Sequence, residues 1–196
     1  MIGYYLSEEN VGYYTAAVAL SELINFIPQS VITSARPVIF ESVKDRNGLY
    51  KRRIIQLYSL VFYFCLFFNL FILLFSGLII NIVYGIEYIN ANLSFKILSF
   101  ANTFSLLGVA RTILLVCNNN ISYLKNFTFF GSLTNFILNM ILIPIFGING
   151  AAVATFFTQF SVCMIFPLFY KQTRGDVILF FKSIKFWEYI NIKKIL

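Results

Sequence analysis

Residues 57–83 read LYSLVFYFCLFFNLFILLFSGLIINIV, without one Lys, Arg, Asp or Glu. At ~1.5 Å per residue, a helix of that length outreaches the ~30 Å hydrocarbon layer of a bilayer. Its apolar positions do not alternate with polar ones, as the strands of a membrane barrel require, so the expected element is a helix. The uncharged run is longer still: 33 residues over 54–86, followed by a second run of 45 over 126–170. An ordinary soluble domain has about 25% charged and about 45–50% apolar residues. This chain of 196 residues has 12% and 59%, with a mean hydropathy of +0.80. Too few charges remain to cover a water-facing surface. A polytopic integral membrane protein is expected, and soluble enzymes, nucleic-acid binders and secreted disulfide scaffolds are excluded.

Outward from that run, the chain reads as an all-α bundle of about five spans, at 13–36, 57–83, 95–117, 126–146 and 148–170. Residues 1–175 form the transmembrane domain and 176–196 a cytoplasmic amphipathic tail, which reads either as an interfacial segment anchored by Phe180, Phe181, Phe186 and Trp187 or as a frayed end. Residues 41–55 read as a second interfacial helix, and the turn between spans four and five, around Pro144 and Gly147, is too short for anything but a hairpin. Twelve of the 15 basic residues fall in the 44–53 loop, at Lys125 and in the C-terminal stretch from Lys171 onward. Strict alternation puts all three on one side, and the positive-inside rule makes that side cytoplasmic, with the N-terminus outside. The net charge of +7 is therefore topology rather than nucleic-acid affinity. MIGYYLSEEN supplies no signal for an exterior N-terminus, so Met1 is expected to be an internal start or truncation point with spans upstream.

Chemistry is sparse. No histidine is present, which removes the usual general base and most zinc and haem ligation; no cofactor or metal is expected. Cys65, Cys117 and Cys163 sit in apolar runs and read as small buried hydrophobes. In the first span Glu22, Asn25, Gln29, Thr33 and Arg36 fall within an arc of roughly 80° at 100° per residue, a stripe suited to a hydrated path or to gluing helices together. Pro28 is expected to kink that span. Counting ~1.5 Å per residue places Glu22 about 16 Å deep, Arg36 about 37 Å deep at the inner headgroups, and Arg111 about 25 Å along its own helix. A lone guanidinium at Arg111 needs a counterion, a carbonyl, a polar cavity or an anionic ligand. Its geometry suits phosphate oxygens. Glu22 is a possible ion partner of Arg111. Asn102 and Ser105 are read as pointing away from it. Asn135, Asn139, Gly150 and Ala154 read as helix-packing positions, Gly150 and Ala154 forming a small-xxx-small motif.

Residues 135–155, NFILNMILIPIFGINGAAVAT, resemble the C-terminal region of bacterial polysaccharide flippases, the O-antigen transporters of the multidrug/oligosaccharidyl-lipid/polysaccharide superfamily. MIGYYLSEENVGYYTAA over 1–17, Pro37 and the Tyr84-Gly85 pair are similar to the family at the corresponding places. The resemblance implies part of one lobe of a MATE-like, two-lobe transporter that lacks its first lobe. Its cargo would be an undecaprenyl-pyrophosphate-linked oligosaccharide, moved by alternating access without any bond made or broken. Arg111, Arg36, Asn25 and Gln29 are then the candidate substrate contacts and Glu22 the ion-coupling acid. Pro144 and Gly147, with the asparagine and small-residue positions, shape the hairpin. The partners implied are the lipid bilayer, the lipid-linked glycan and a missing lobe or another subunit. Rival readings are an inactive fragment or non-transporting component, a membrane polymerase or glycosyltransferase, and a multidrug exporter.

Overall fold

The structure, a computed structural model, describes residues 2–43 and 49–184, and among these it contains helices and turns only. In chain order they are α1 (Ile2–Tyr5), α2 (Glu8–Leu23), α3 (Phe26–Ser42), α4 (Leu49–Tyr84), a 3-10 turn (Ile86–Ala91), α5 (Asn92–Cys117) and α6 (Ser122–Phe160). A π-helical turn (Ser161–Ile165), a second 3-10 turn (Phe166–Phe169) and α7 (Arg174–Ile184) follow. Three stretches are long and apolar enough to cross a membrane: Leu49–Tyr84, Ile86–Cys117 and Ser122–Phe169. A fourth appears if α2 and α3 are taken as one bent pair. This helical bundle is compatible with a membrane location.

α4 runs straight through the place where a separate interfacial helix was expected. Its first turns are residues 49–55, and α3 ends at Ser42. Nothing between Leu49 and Ser76 is a glycine or proline, so no stop signal divides the basic stretch from the apolar one. One side of α4 packs inward through Ile54, Val61, Asn69, Ile72 and Ile80. The other presents a ridge of Phe67, Leu70, Leu74, Leu78 and Ile82, with Leu74 78% exposed. Their spacing of three and four residues makes that ridge one continuous stripe.

The expected first span is two helices. α2 and α3 meet at 43°, one turn before Pro28. Proline has no N–H to give to the carbonyl four residues back, here Ile24, and its ring crowds that carbonyl. Asn25 N–H instead bonds the Glu22 carbonyl at 3.0 Å, three residues back, and the helix resumes when Gln29 N–H reaches the Asn25 carbonyl at 3.0 Å. Pro28 therefore lies in the first turn of α3, where its missing donor would have had no partner anyway.

α6 doubles back. Gly147 has φ 61° and ψ −138°, a conformation that favours glycine. Three contacts between the two arms are each centred on residues 146 and 147. Asn135 Nδ2 lies 3.3 Å from Thr158 Oγ1, a Cβ on Gly131 would come within 2.6 Å of Val162, and a Cβ on Gly150 would collide with the Leu142 carbonyl. The arms are thus an antiparallel pair whose close approach depends on small residues. Ala154 and Asn139 are buried in the hairpin, whereas Pro144 is exposed.

α5 runs through the middle, half of its apolar window buried against 22% for α4. Tyr58, Leu107 and Ile113 centre one core cluster, and Ile72, Ile80 and Phe95 a second. The three cysteines are free thiols, Cys65 and Cys163 buried and Cys117 partly so. α7 corrects the picture of a lipid-anchoring tail. It folds back on α4, with Ser59 donating to the Ser183 carbonyl at 2.7 Å and Tyr63 to the Ile184 carbonyl at 2.9 Å. Phe180 is buried against the rings of Tyr58 and Phe62, while Phe181 stays 59% exposed. Phe186 and Trp187 lie outside the described residues.

Candidate functional site

The two arms of α6 are almost entirely apolar, yet along their contact they border an open groove of about 600 Å³ edged by amides and hydroxyls. Thr128, Ser132 and Asn135 come from the first arm; Thr155, Thr158 and Gln159 come from the second. Steps of three and four residues place each set on one helical face, and the antiparallel pairing turns the two faces toward one another. Asn139 Nδ2 donates to the Asn135 carbonyl at 2.8 Å and to its Oδ1 at 2.9 Å, and Asn135 Nδ2 in turn reaches Thr158 Oγ1. Thr155 and Thr158 each donate to the carbonyl four residues back, at 3.0 and 2.8 Å. Their hydroxyl oxygens keep acceptor capacity.

Gln159 and Val162 also border a smaller cleft of about 150 Å³ beside α5, where Ser105, Gly108, Thr112 and Arg111 line the wall. Ser105 thus shares a cleft with Arg111, contrary to the angular reading, because a long guanidinium side chain reaches around its helix. Asn102 does face elsewhere, donating to the Ser21 carbonyl at 3.0 Å.

Arg111 is only 5% exposed. One terminal nitrogen donates to the Val162 carbonyl at 3.0 Å, and the other donates to the Cys163 carbonyl and lies 3.3 Å from Cys163 Sγ. Both acceptors belong to the π-helical turn. Of the partners the sequence allowed, the carbonyl is the one present in place of Glu22. The buried charge is met by oriented peptide dipoles, as a guanidinium inside an apolar bundle requires. Its Nε is buried without a hydrogen-bond partner.

The stripe of the first span is split by the bend. Glu22 is exposed at the end of α2. Asn25 turns inward to a small polar pocket beside Asn69, Asn102 and Thr103, where Asn69 Nδ2 donates to Thr103 Oγ1 at 2.9 Å. Gln29 and Thr33 are exposed on α3, and Arg36 is half-buried with its Nε unpartnered. None of Glu22, Asn25, Gln29 or Arg36 lines the groove or its adjoining cleft.

Two features escaped the sequence reading. One is that the asparagines and threonines of α6 form a groove as well as a packing seam. The other is Asp176, 4% exposed in α7, whose Oδ2 is buried without a hydrogen-bond partner. Burial pushes its carboxyl up to about 6, against a smaller downward pull from the Arg111 charge. Its signal was available in the pattern, because Asp176 falls on the same helical face as Val177, Phe180 and Ser183. Among the described residues no cluster of His, Cys, Asp and Glu could hold a metal ion. Comparison with protein-family models, with curated proteins and with solved structures finds no match.

Proposed function

We propose that this chain is a five-span membrane bundle forming part of one lobe of a flippase for a lipid-linked oligosaccharide, and that the hairpin groove contacts the glycan. The observation that carries the reading is the groove itself: neutral hydrogen-bonding groups gathered inside an element otherwise fit for hydrocarbon. Polar side chains in such a setting are costly unless paired or facing a cavity. Amides and hydroxyls are the groups that recognise sugar hydroxyls without demanding a charge. The stretch that resembles polysaccharide flippases, 135–155, supplies Asn135, Asn139, Gly150 and Thr155 of the hairpin.

In this reading Arg111 sets a positive potential beside the groove for the pyrophosphate. Gln29 and Arg36 contribute to the face that a second lobe would cover, Asn25 lines the inner pocket behind it, and Glu22 is the exposed acid available for ion coupling. Taking α2 and α3 as one bent span and the two arms of α6 as two, the reading has five crossings, with the basic loop and α7 on the cytoplasmic side of a bacterial inner membrane. No bond changes, so the site needs positioning rather than acid–base catalysis; rigid-body rocking of lobes would move the cargo.

The test is retention of an undecaprenyl-pyrophosphate-linked oligosaccharide by the detergent-purified chain, read by native mass spectrometry. The lipid-linked glycan should stay bound in preference to undecaprenyl phosphate lacking sugar, and the pair Asn135→Leu with Gln159→Leu should lower its occupancy at least ten-fold. Equal retention of the two lipids, or variants that bind like the parent, would remove the groove from the glycan path. Preferential capture of lipophilic cations at the same residues would make the protein a drug exporter instead.

A further inference from the structure

α7 is docked on the bundle through a buried acid. Its inward face carries Asp176, Val177, Phe180 and Ser183. Three of these are suited to a protein interior, and Asp176 is a carboxyl 4% exposed with one oxygen unpartnered. The charge nearest in effect is Arg111, whose terminal nitrogens donate to carbonyls of the π-helical turn and which makes no hydrogen bond to that oxygen. An ionised carboxylate at such a place lacks the donors that would replace its hydration. A neutral carboxyl fits without that cost.

We infer that Asp176 is a proton-binding site buried at the joint between α7 and the rest of the bundle, and that proton uptake there fastens α7 in place. Among the described residues the groups that feel its charge are Arg111 of α5 and Tyr50 and Tyr58 of α4; Cys117 and Cys163 lie beside those tyrosines, and Arg174 and Lys182 belong to α7 itself. Arg174 Nε is committed to the Leu168 carbonyl at 2.6 Å. No histidine exists in the chain to titrate between pH 5 and 8, so Asp176 has little competition as the group that responds there. The site is independent of what the hairpin groove carries.

The sign follows from linkage. The docked carboxyl titrates at about 6 and a free one near its ordinary 3.8, so the docked state binds the proton more tightly. Docking gained this way is complete below 3.8 and is lost as pH rises through about 6. Hydrogen–deuterium exchange of the 174–184 peptide, measured on the whole chain in detergent and divided by the chemical exchange rate at each pH, reads it directly. Protection of α7 should fall about ten-fold from pH 5 to pH 8, while the second arm of α6 stays constant. Asp176→Asn, a permanently neutral side chain of the same shape, should abolish that dependence and leave α7 roughly a hundred-fold better protected than the parent at pH 8. Protection in the parent that is flat or rises with pH would overturn the inference, as would a D176N protein that keeps the pH dependence or is the less protected of the two. If D176N does not fold, the parent titration decides alone.

Discussion

Two interruptions of the helices, each three residues from a proline, have opposite results. At 24–25 the chain bends by 43° and goes on in the same general direction; at Gly147 it reverses. Pro28 and Pro144 each lie three residues from the interruption, so proline alone does not set the outcome. The backbone does. Ile24 and Asn25 both stay right-handed helical, at φ −69° and −68°, whereas Gly147 crosses to φ 61°. Removing one donor loosens a helix, but turning it back needs a residue without a Cβ. It also needs a seam of small residues on which the returning arm can settle, and Gly131, Gly150 and Ala154 provide that seam.

The difference can be broken first at the seam. Gly150→Ala puts a methyl group into the Leu142 carbonyl, which is rigid backbone, and should destabilise the hairpin by about 3 kcal/mol. Thermal unfolding in detergent would show it, and an unchanged midpoint would mean that the arms are not in contact. Next comes the reversal itself. Gly147→Ala forces a side chain into a glycine conformation at a cost of about 2 kcal/mol, although the space around it is open enough for the methyl group. The same melt should place it between Gly150→Ala and the parent. The smallest effect belongs to the bend. Pro28→Ala restores the donor to Ile24 and should shift stability by less than about 1 kcal/mol, while spin labels at Thr15 and Thr33 move apart as α2 and α3 straighten. An unaltered label distance would assign the bend to tertiary packing instead.

These same regions mark how far the amino-acid sequence could be read. Helical type, the long apolar elements and the hairpin were all legible, because they rest on runs of dozens of residues and on glycine and proline punctuation. The polar stripe from Glu22 to Arg36 was not, since its angular arithmetic assumes an unbroken helix, and a 43° bend between Glu22 and Asn25 voids it. Arg111 was recognised as a buried charge needing a partner. Which partner it took depended on the π-helical turn at Ser161–Ile165, a tertiary detail with no local signature. The inward turn of Phe180 was illegible for a related reason. Phe180 and Phe181 look equivalent as letters, and only docking on α4 separates a core residue from an exposed one.

The ridge from Phe67 to Ile82 on α4 decides how the protein must be handled. A strip of phenylalanine and leucine that long is sticky in water and will find an identical strip on another molecule. Without a surfactant the chain should precipitate or form soluble oligomers with that strip as one of the contacts, and polar replacements at Leu74 and Leu78 should lessen the association.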